Sequence, residues 1–196
     1  DWPAIDIFAS DDSSTDGTPA LLGSWQKIWN KGTFSVATGP RVGFSGNFRK
    51  LLADSEVDAD YVAFCDQDDI WLSEKTRVAV AALDEQGARP ALYCARTTIT
   101  DVDDRAVSLS TLFRRTPDFA NALVQSIGGG NTMVMNRAAY ELLREAARRT
   151  DFVSHAARGL KIMVRNGFQR PYPDVIQPLQ PREGRKLPDN AKQCCQ

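Results

Sequence analysis

No apolar run in this sequence approaches the roughly 20 residues that a bilayer crossing requires, and its first residues lack the basic-then-apolar order of a secretory signal. A soluble chain is therefore the expectation. Cysteine is scarce and poorly placed for zinc. Cys65 and Cys94 lie in apolar, strand-like runs, Cys194 and Cys195 are adjacent, and none shows C-x-x-C spacing. All four read as reduced cytosolic thiols. An excess of one charge is also missing. With 24 Lys and Arg interspersed among 25 Asp and Glu, there is no broad positive field for a polyphosphate backbone or an anionic membrane, so nucleic acid is not an expected partner. There is no internal repeat, and histidine occurs once, at His155.

What the sequence does contain is an alternation of strand and helix signals. Residues 5–9 form a short apolar run that ends at Ser10-Asp11-Asp12, and Thr18-Pro19 supplies an N-cap with proline at the first helical position. In the helix that follows, Leu21, Leu22, Trp25, Ile28 and Trp29 share one face. Residues 33–36 read as the next strand, and Phe44, Phe48, Leu51 and Leu52 mark a second short helix. Residues 61–65 are apolar without alternation, as in a strand buried on both faces. Ser73 is placed to cap a helix carrying Val78, Val80 and Leu83, and residues 91–94 read as a strand. The pattern predicts an α/β fold with a mostly parallel sheet flanked by helices. Beyond Arg96 the pattern loosens, and glycines 128–130 precede a strand over 132–135 and a helix over 137–148, a second lobe of the same domain. Prolines at 171, 173, 178, 181 and 188 exclude a long helix in the tail. The predicted organisation is one domain over 1–155, then a poorly ordered tail over 156–196.

Two acidic motifs carry the chemistry. Both D-D-S-S-T-D-G-T at 11–18 and D-Q-D-D at 66–69 follow a strand, and ligands of open parallel sheets lie beyond the carboxyl ends of the strands. Asp11, Asp12, Asp66 and Asp68 are therefore expected to converge on one crevice. Asp66 and Asp68 offer hard oxygen donors to Mg²⁺ or Mn²⁺, with a nucleotide diphosphate completing the shell. Such a cation neutralises charge on a diphosphate leaving group, which points to group transfer. The competing reading is a polar loop capping the helix at Ser73. Asp12, Ser14, Asp16 and Gly17 also match the opening half of a calcium loop, but Gly23 stands where a bidentate glutamate is needed and Pro19 already begins a helix. Asx and Ser turns ordering the connection are the alternative there.

Taken together, these motifs, with G-F-S-G-N-F at 43–48, Y-V-A-F-C-D-Q-D-D-I-W-L-S-E-K at 61–75 and G-G-N-T-M-V-M-N-R at 129–137, resemble the family 2 glycosyltransferases of the GT-A fold. The likeness runs over residues 4–155 and is strongest to rhamnosyltransferase-like bacterial members that build surface polysaccharides. The resemblance implies that Asp11 and Asp12 contact the base and ribose, and that Asn47 lies in a segment lining the nucleotide pocket. It implies that Asp66 approaches the ribose and metal, Asp68 is the principal metal ligand, and Asp69 supports them, with Trp71 and Lys75 on the helix bracing the loop. Gly129, Gly130 and Asn131 would border the acceptor, the rival reading being a flexible connection. The implied donor is a nucleotide-diphosphate sugar, dTDP-rhamnose by analogy, and the implied acceptor a glycan or lipid-linked glycan. The implied location is cytoplasmic, extending to peripheral attachment at the inner face of the membrane.

Two departures from the family pattern stand out. Only one strand precedes the first acidic motif, so the family's first strand-helix unit is expected to be missing. V-S-H at 153–155 is followed by Ala156 and Ala157, where the family pattern continues D-W-W and the aspartate is the expected general base. The methyl group of Ala156 cannot take a proton from an acceptor hydroxyl. Histidine is the residue type able to exchange protons near neutrality, but His155 reads as a structural or exposed residue. The abrupt loss of resemblance suggests a frame shift after His155, with genuine divergence as the alternative. Weak transfer is expected, and the rival functions are a noncatalytic nucleotide-sugar-binding remnant and a calcium-binding module on residues 12–17.

Overall fold

In the computed structural model, which describes residues 2–112 and 128–149, the alternation resolves into β1 (Ile7–Asp11), α1 (Thr18–Ile28), β2 (Phe34–Thr38), α2 (Phe44–Asp54), β3 (Tyr61–Ala63), α3 (Lys75–Asp84) and β4 (Leu92–Tyr93). A hairpin of β5 (Thr98–Thr100) and β6 (Ala106–Leu109) follows, and Gly130–Thr132 form a 3₁₀ turn before β7 (Val134–Asn136) and α4 (Arg137–Arg149). The predicted tail and residues 113–127 lie outside the described residues.

β1 and β2 pair in parallel from Ile7 opposite Phe34 to Asp11 opposite Thr38. A second sheet has the order β3-β7-β4, with β7 antiparallel to both neighbours, so β3 and β4 run the same way. This order corrects one expectation. The run at 61–65 was predicted to be buried on both faces, but its strand is only Tyr61–Ala63 and is half-exposed throughout. Among the described residues it forms ladder pairs with β7 alone. The fully buried central strand is β7, where Asn136 turns inward as well and its side-chain oxygen accepts from the Ala91 amide at 3.0 Å.

The main core gathers Leu83, Leu92, Tyr93, Met133, Met135, Tyr140 and Leu143, each almost fully enclosed. α4 contributes Ala139, Tyr140, Leu143, Ala146 and Ala147 at helical spacing. Its outer face carries i,i+4 pairs, Arg137 with Glu141 at 2.9 Å and Arg149 with Glu145 at 2.5 Å. These exposed pairs add only about 0.3–0.5 kcal/mol each. α2 packs on both α4 and β1, and the Arg148 guanidinium donates to the Ala53 carbonyl at 3.0 Å.

A separate small cluster holds Ala9, Leu22 and Phe34. Of the five apolar residues predicted on one face of α1, only Leu22 is buried, and Ile28 is 64% exposed. The two-stranded β1-β2 sheet is too narrow to cover a stripe of that width. Both predicted caps shift. Gly17 holds the cap position of α1, while the Asp16 carboxylate accepts the Thr18 amide at 2.9 Å. α3 begins at Lys75 after Glu74, and Ser73 hydrogen-bonds the Glu74 carboxylate instead of capping. The β5-β6 hairpin was not foreseen because β6 is exposed along its length and shows no apolar alternation. Among the described residues no helix is long and apolar enough to cross a membrane.

Candidate functional site

β1 extends two residues beyond its apolar run, so the first acidic motif begins inside the strand. The Asp11 carboxylate accepts the Ser14 amide at 3.2 Å, and the Asp11 carbonyl accepts the Gly39 amide at 2.7 Å. Asp12 reaches across to the connection between β2 and α2. Its Oδ1 accepts the Arg41 amide at 2.5 Å and its Oδ2 the Gly43 amide at 3.0 Å. Arg41 Nε donates to Ser13 Oγ at 2.6 Å, and both residues are left-handed, with φ of 62° and 71°. Backbone held in that region by L-residues is a local strain of about 1–3 kcal/mol. From α2, buried Asn47 donates through Nδ2 to the Ser10 carbonyl at 2.9 Å and accepts from Ser10 Oγ at 2.5 Å. Gly39 closes this cluster, since a Cβ there would sit 2.6 Å from Asp12 Oδ1 and 2.8 Å from its Cα. Of the calcium-loop pattern, the Asp16 carboxylate is thus engaged locally, as in an Asx turn, whereas that of Asp12 is engaged by the amides of Arg41 and Gly43 in the next connection.

The second cluster follows β3. A turn closes from the Asp69 amide to the Asp66 carbonyl at 3.4 Å. Asp68 is exposed, whereas Asp66 and Asp69 are half-buried. Burial pushes the Asp66 carboxyl up, repulsion from Asp68 adds to this, and Lys75 opposes it. Burial likewise pushes Asp69 up to about 6. The Asn131 hydrogen bond resists that rise, Asp66 and Asp68 reinforce it, and Lys75 resists it. Lys75 is only 1% exposed. Its ammonium donates to the Asn131 carbonyl at 2.7 Å and lies 3.3 Å from the centroid of the Trp71 ring. Asn131 in turn donates through Nδ2 to Asp69 Oδ2. The Trp71 indole N–H is buried with no hydrogen-bond partner among the described residues.

Three carboxylates lie within four residues, two of them raised by partial desolvation and by mutual repulsion that Lys75 only partly offsets. Among the described residues no three acidic, histidine or cysteine side chains converge as a complete metal cage. Mg²⁺ and Mn²⁺ are bound through one or two carboxylates, with further ligands from water and substrate phosphates. Asp66 and Asp68 carry oxygens of this type.

The structure therefore brings Asp66, Asp68, Asp69, Trp71, Lys75 and Asn131 together, and separately Ser10, Asp12, Gly39, Arg41, Gly43 and Asn47. Among the described residues no hydrogen bond or ion pair joins Asp11, Asp12 or Asn47 to the second cluster. On the side assigned to the acceptor, Gly129 is exposed, Gly130 is buried, and the Thr132 and Met133 amides are held by the carbonyls of Gly129 and Gly130. A Cβ on Gly128 would lie 3.1 Å from Cys94 Cβ, so this glycine serves close packing on the end of β4. A groove of about 200 Å³ lies between α2 and the β1-β2 face, lined by Phe8, Ser10, Ala37 and Leu51, away from the acidic loop. His155 and Ala156 are outside the described residues. Sequence reasoning missed Ser10, Gly39, Arg41 and Gly43, and it gave Lys75 no contact of its own. Lys75 was detectable, because it shares the helical stripe of Ala79 and Leu83.

Residues 1–144 match the sequence model of Glycosyl transferase family 2. The dTDP-rhamnosyl transferase RfbG of Shigella flexneri is 36% identical over 81 residues, which are 40% of this chain and 28% of that protein. An uncharacterized protein of Mycobacterium tuberculosis is 28% identical over 67 residues, 34% of this chain and 19% of its own length. Residues 1–349 of TarS from S. aureus, solved in complex with UDP-GlcNAc, superpose with a TM-score of 0.59 at 21% identity, covering 93% of this chain and 50% of that one. The TarS complex with UDP gives a TM-score of 0.57 at 19% identity over 91% of this chain and 51% of that one. This chain thus spans about half the length of the solved relatives and under a third of RfbG. The likeness to TarS establishes the GT-A-type fold, and the match over residues 1–144 establishes the family: the chain belongs to glycosyl transferase family 2.

Proposed function

We propose that this domain binds a nucleotide-diphosphate sugar through a divalent cation held by Asp66 and Asp68, and serves the inverting transfer of that sugar to a glycan or lipid-linked glycan at the cytoplasmic side. The observation that carries the reading is the carboxylate cluster directly after β3, with Asp68 exposed, Asp66 half-buried beside it, and Asp69 tied down by Asn131. When bound, Mg²⁺ or Mn²⁺ supplies neutralisation of charge on the departing diphosphate. Asp66 and Asp68 would hold the cation through their carboxylate oxygens, and Asp11, half-exposed at the end of β1 with only the neighbouring Ser14 amide on its carboxylate, is the first-motif candidate for nucleotide contact, since Asp12 and Asn47 are engaged by residues distant in the chain. RfbG's name puts dTDP-rhamnose first among candidate donors, and the ligands of TarS put UDP and UDP-GlcNAc beside it. A second reading, nucleotide-sugar binding without turnover, is favoured by Ala156 at the position where the family resemblance expects a carboxylate base.

A thermal-shift panel of nucleoside diphosphates and nucleotide sugars, each with and without Mn²⁺, tests the site. Saturating ligand at about 100 times Kd stabilises a folded protein by about 2.7 kcal/mol, so a clear rise in Tm is expected only when nucleotide and Mn²⁺ are both present. A panel with no shift, or with nucleotide shifts indifferent to Mn²⁺, overturns the proposal. Release of dTDP or UDP from the stabilising donor then separates transfer from binding alone.

A further inference from the structure

An ammonium placed in a protein core is costly unless it is well coordinated, and one at the first residue of a helix also opposes the helix dipole. Lys75 bears both costs at the start of α3, 1% exposed, where methionine would fill the same space without either. The contacts that offset these costs show what the lysine does there. Its Nζ is seated over the Trp71 ring, 3.3 Å from the centroid, and donates to the Asn131 carbonyl at 2.7 Å, 56 residues away in the chain. Asn131 is then held at a second point, because its side-chain amide donates to Asp69. Asp69, Asn131 and Lys75 thereby form a chain of contacts linking the acidic loop, the turn at Gly130–Thr132 and α3.

We propose that Lys75 is a positioning residue that locks the acidic loop to the glycine turn, holding Asn131 so that its amide fixes Asp69 beside the donor-binding carboxylates. The joint makes the two loops move as one unit, so the donor side and the turn on the acceptor side are set together. Lys75 touches neither donor nor acceptor; it acts through Asn131. This inference rests on the cation-dependent nucleotide site proposed above, and its test separates the two.

Lys75→Met keeps the apolar stem on Trp71 and removes the ammonium, while Asn131→Ala breaks the chain of contacts at its link to Asp69. Amide hydrogen exchange of the free protein reads the joint without any ligand. The reporter amides are Asp69 in the loop and Thr132 and Met133 in the turn, each held by a local backbone hydrogen bond. Either substitution is expected to raise exchange about tenfold in both segments. Exchange confined to the substituted segment overturns the proposal. Nucleotide titration with Mn²⁺ supplies the second readout: each single variant is expected to bind about tenfold more weakly, and the double variant no more weakly than the worse single one, as for two residues of one chain of contacts. Additive losses, or a lowered Tm with unchanged affinity and unchanged exchange in the partner loop, also overturn it. Should K75M not fold, Asp69→Ala, which removes the acceptor of the Asn131 amide, takes its place in both measurements under the same requirements. Wild-type protein that binds no nucleotide while the two loops still lose protection together would sink the donor site and leave the joint standing.

Discussion

Removing the Asn47 side chain probes the structural role of the first motif most sharply. The bonds from the Ile7 amide to the Thr33 carbonyl and from the Gly39 amide to the Asp11 carbonyl show that alternate residues of β1 face β2. The main-chain groups of Ser10 therefore face away from β2, and the Asn47 amide is what meets the Ser10 carbonyl there, at 2.9 Å. Asn47→Ala leaves that carbonyl and the buried Ser10 hydroxyl without partners. Each orphaned buried group costs about 1–3 kcal/mol, so a loss of about 3 kcal/mol is expected, a large share of the roughly 5–15 kcal/mol that stabilises a domain. Ser10→Ala strands only the Asn47 oxygen and should cost about 1–2 kcal/mol, and the double variant should fall short of the sum by about 1 kcal/mol. Urea unfolding followed by circular dichroism measures all three. If Asn47→Ala changes stability by less than about 0.5 kcal/mol yet weakens nucleotide binding, the clamp is wrong and Asn47 serves the ligand instead, as the family resemblance implies.

Further outcomes follow from the contacts of Gly39 and Asp69. Gly39→Ala places a methyl 2.8 Å from the Asp12 Cα, which the backbone must yield to at a cost of about 1–3 kcal/mol; an unchanged urea midpoint would contradict this. Asp69, with its carboxyl raised to about 6, binds its proton more tightly in the folded chain than in the unfolded one. Its contribution to stability is therefore complete below the ordinary carboxylate range and is lost as pH rises through about 6. Because a cation favours the ionised loop, Mn²⁺-dependent nucleotide affinity should rise from pH 5 to pH 7 and flatten in Asp69→Asn; pH-independent calorimetry would refute this assignment.

The legible parts of the fold were those where a local pattern determines the outcome. The helix over 137–148 was placed within a residue because Tyr140, Leu143 and Ala147 repeat at helical spacing. The strand-loop-helix units around both acidic motifs were likewise found. What escaped depends on partners distant in sequence. The burial of residues 61–65 turned on sheet order, which puts β7 at the centre and leaves β3 half-exposed. The inward use of Asp12 required the amides of Arg41 and Gly43, 29 and 31 residues on, and no spacing rule connects them. Asn131 was read as an acceptor-side residue, yet its side chain reaches Asp69, 62 residues earlier. The acidic loop itself was readable from its place after a strand, whereas the contacts of the Lys75 ammonium with Trp71 and Asn131 emerged only from packing.

The cation-mediated grip of Asp66 and Asp68 on a nucleotide diphosphate is the proposal from which the donor chemistry follows. Isothermal titration of dTDP and UDP into the wild-type protein and Asp68→Ala, each with and without Mn²⁺, measures it. Binding by the wild type only in the presence of Mn²⁺, weakened at least tenfold in Asp68→Ala, a difference of about 1.4 kcal/mol, is the predicted result. Binding that is equally tight without Mn²⁺, or that Asp68→Ala leaves unchanged, would contradict it.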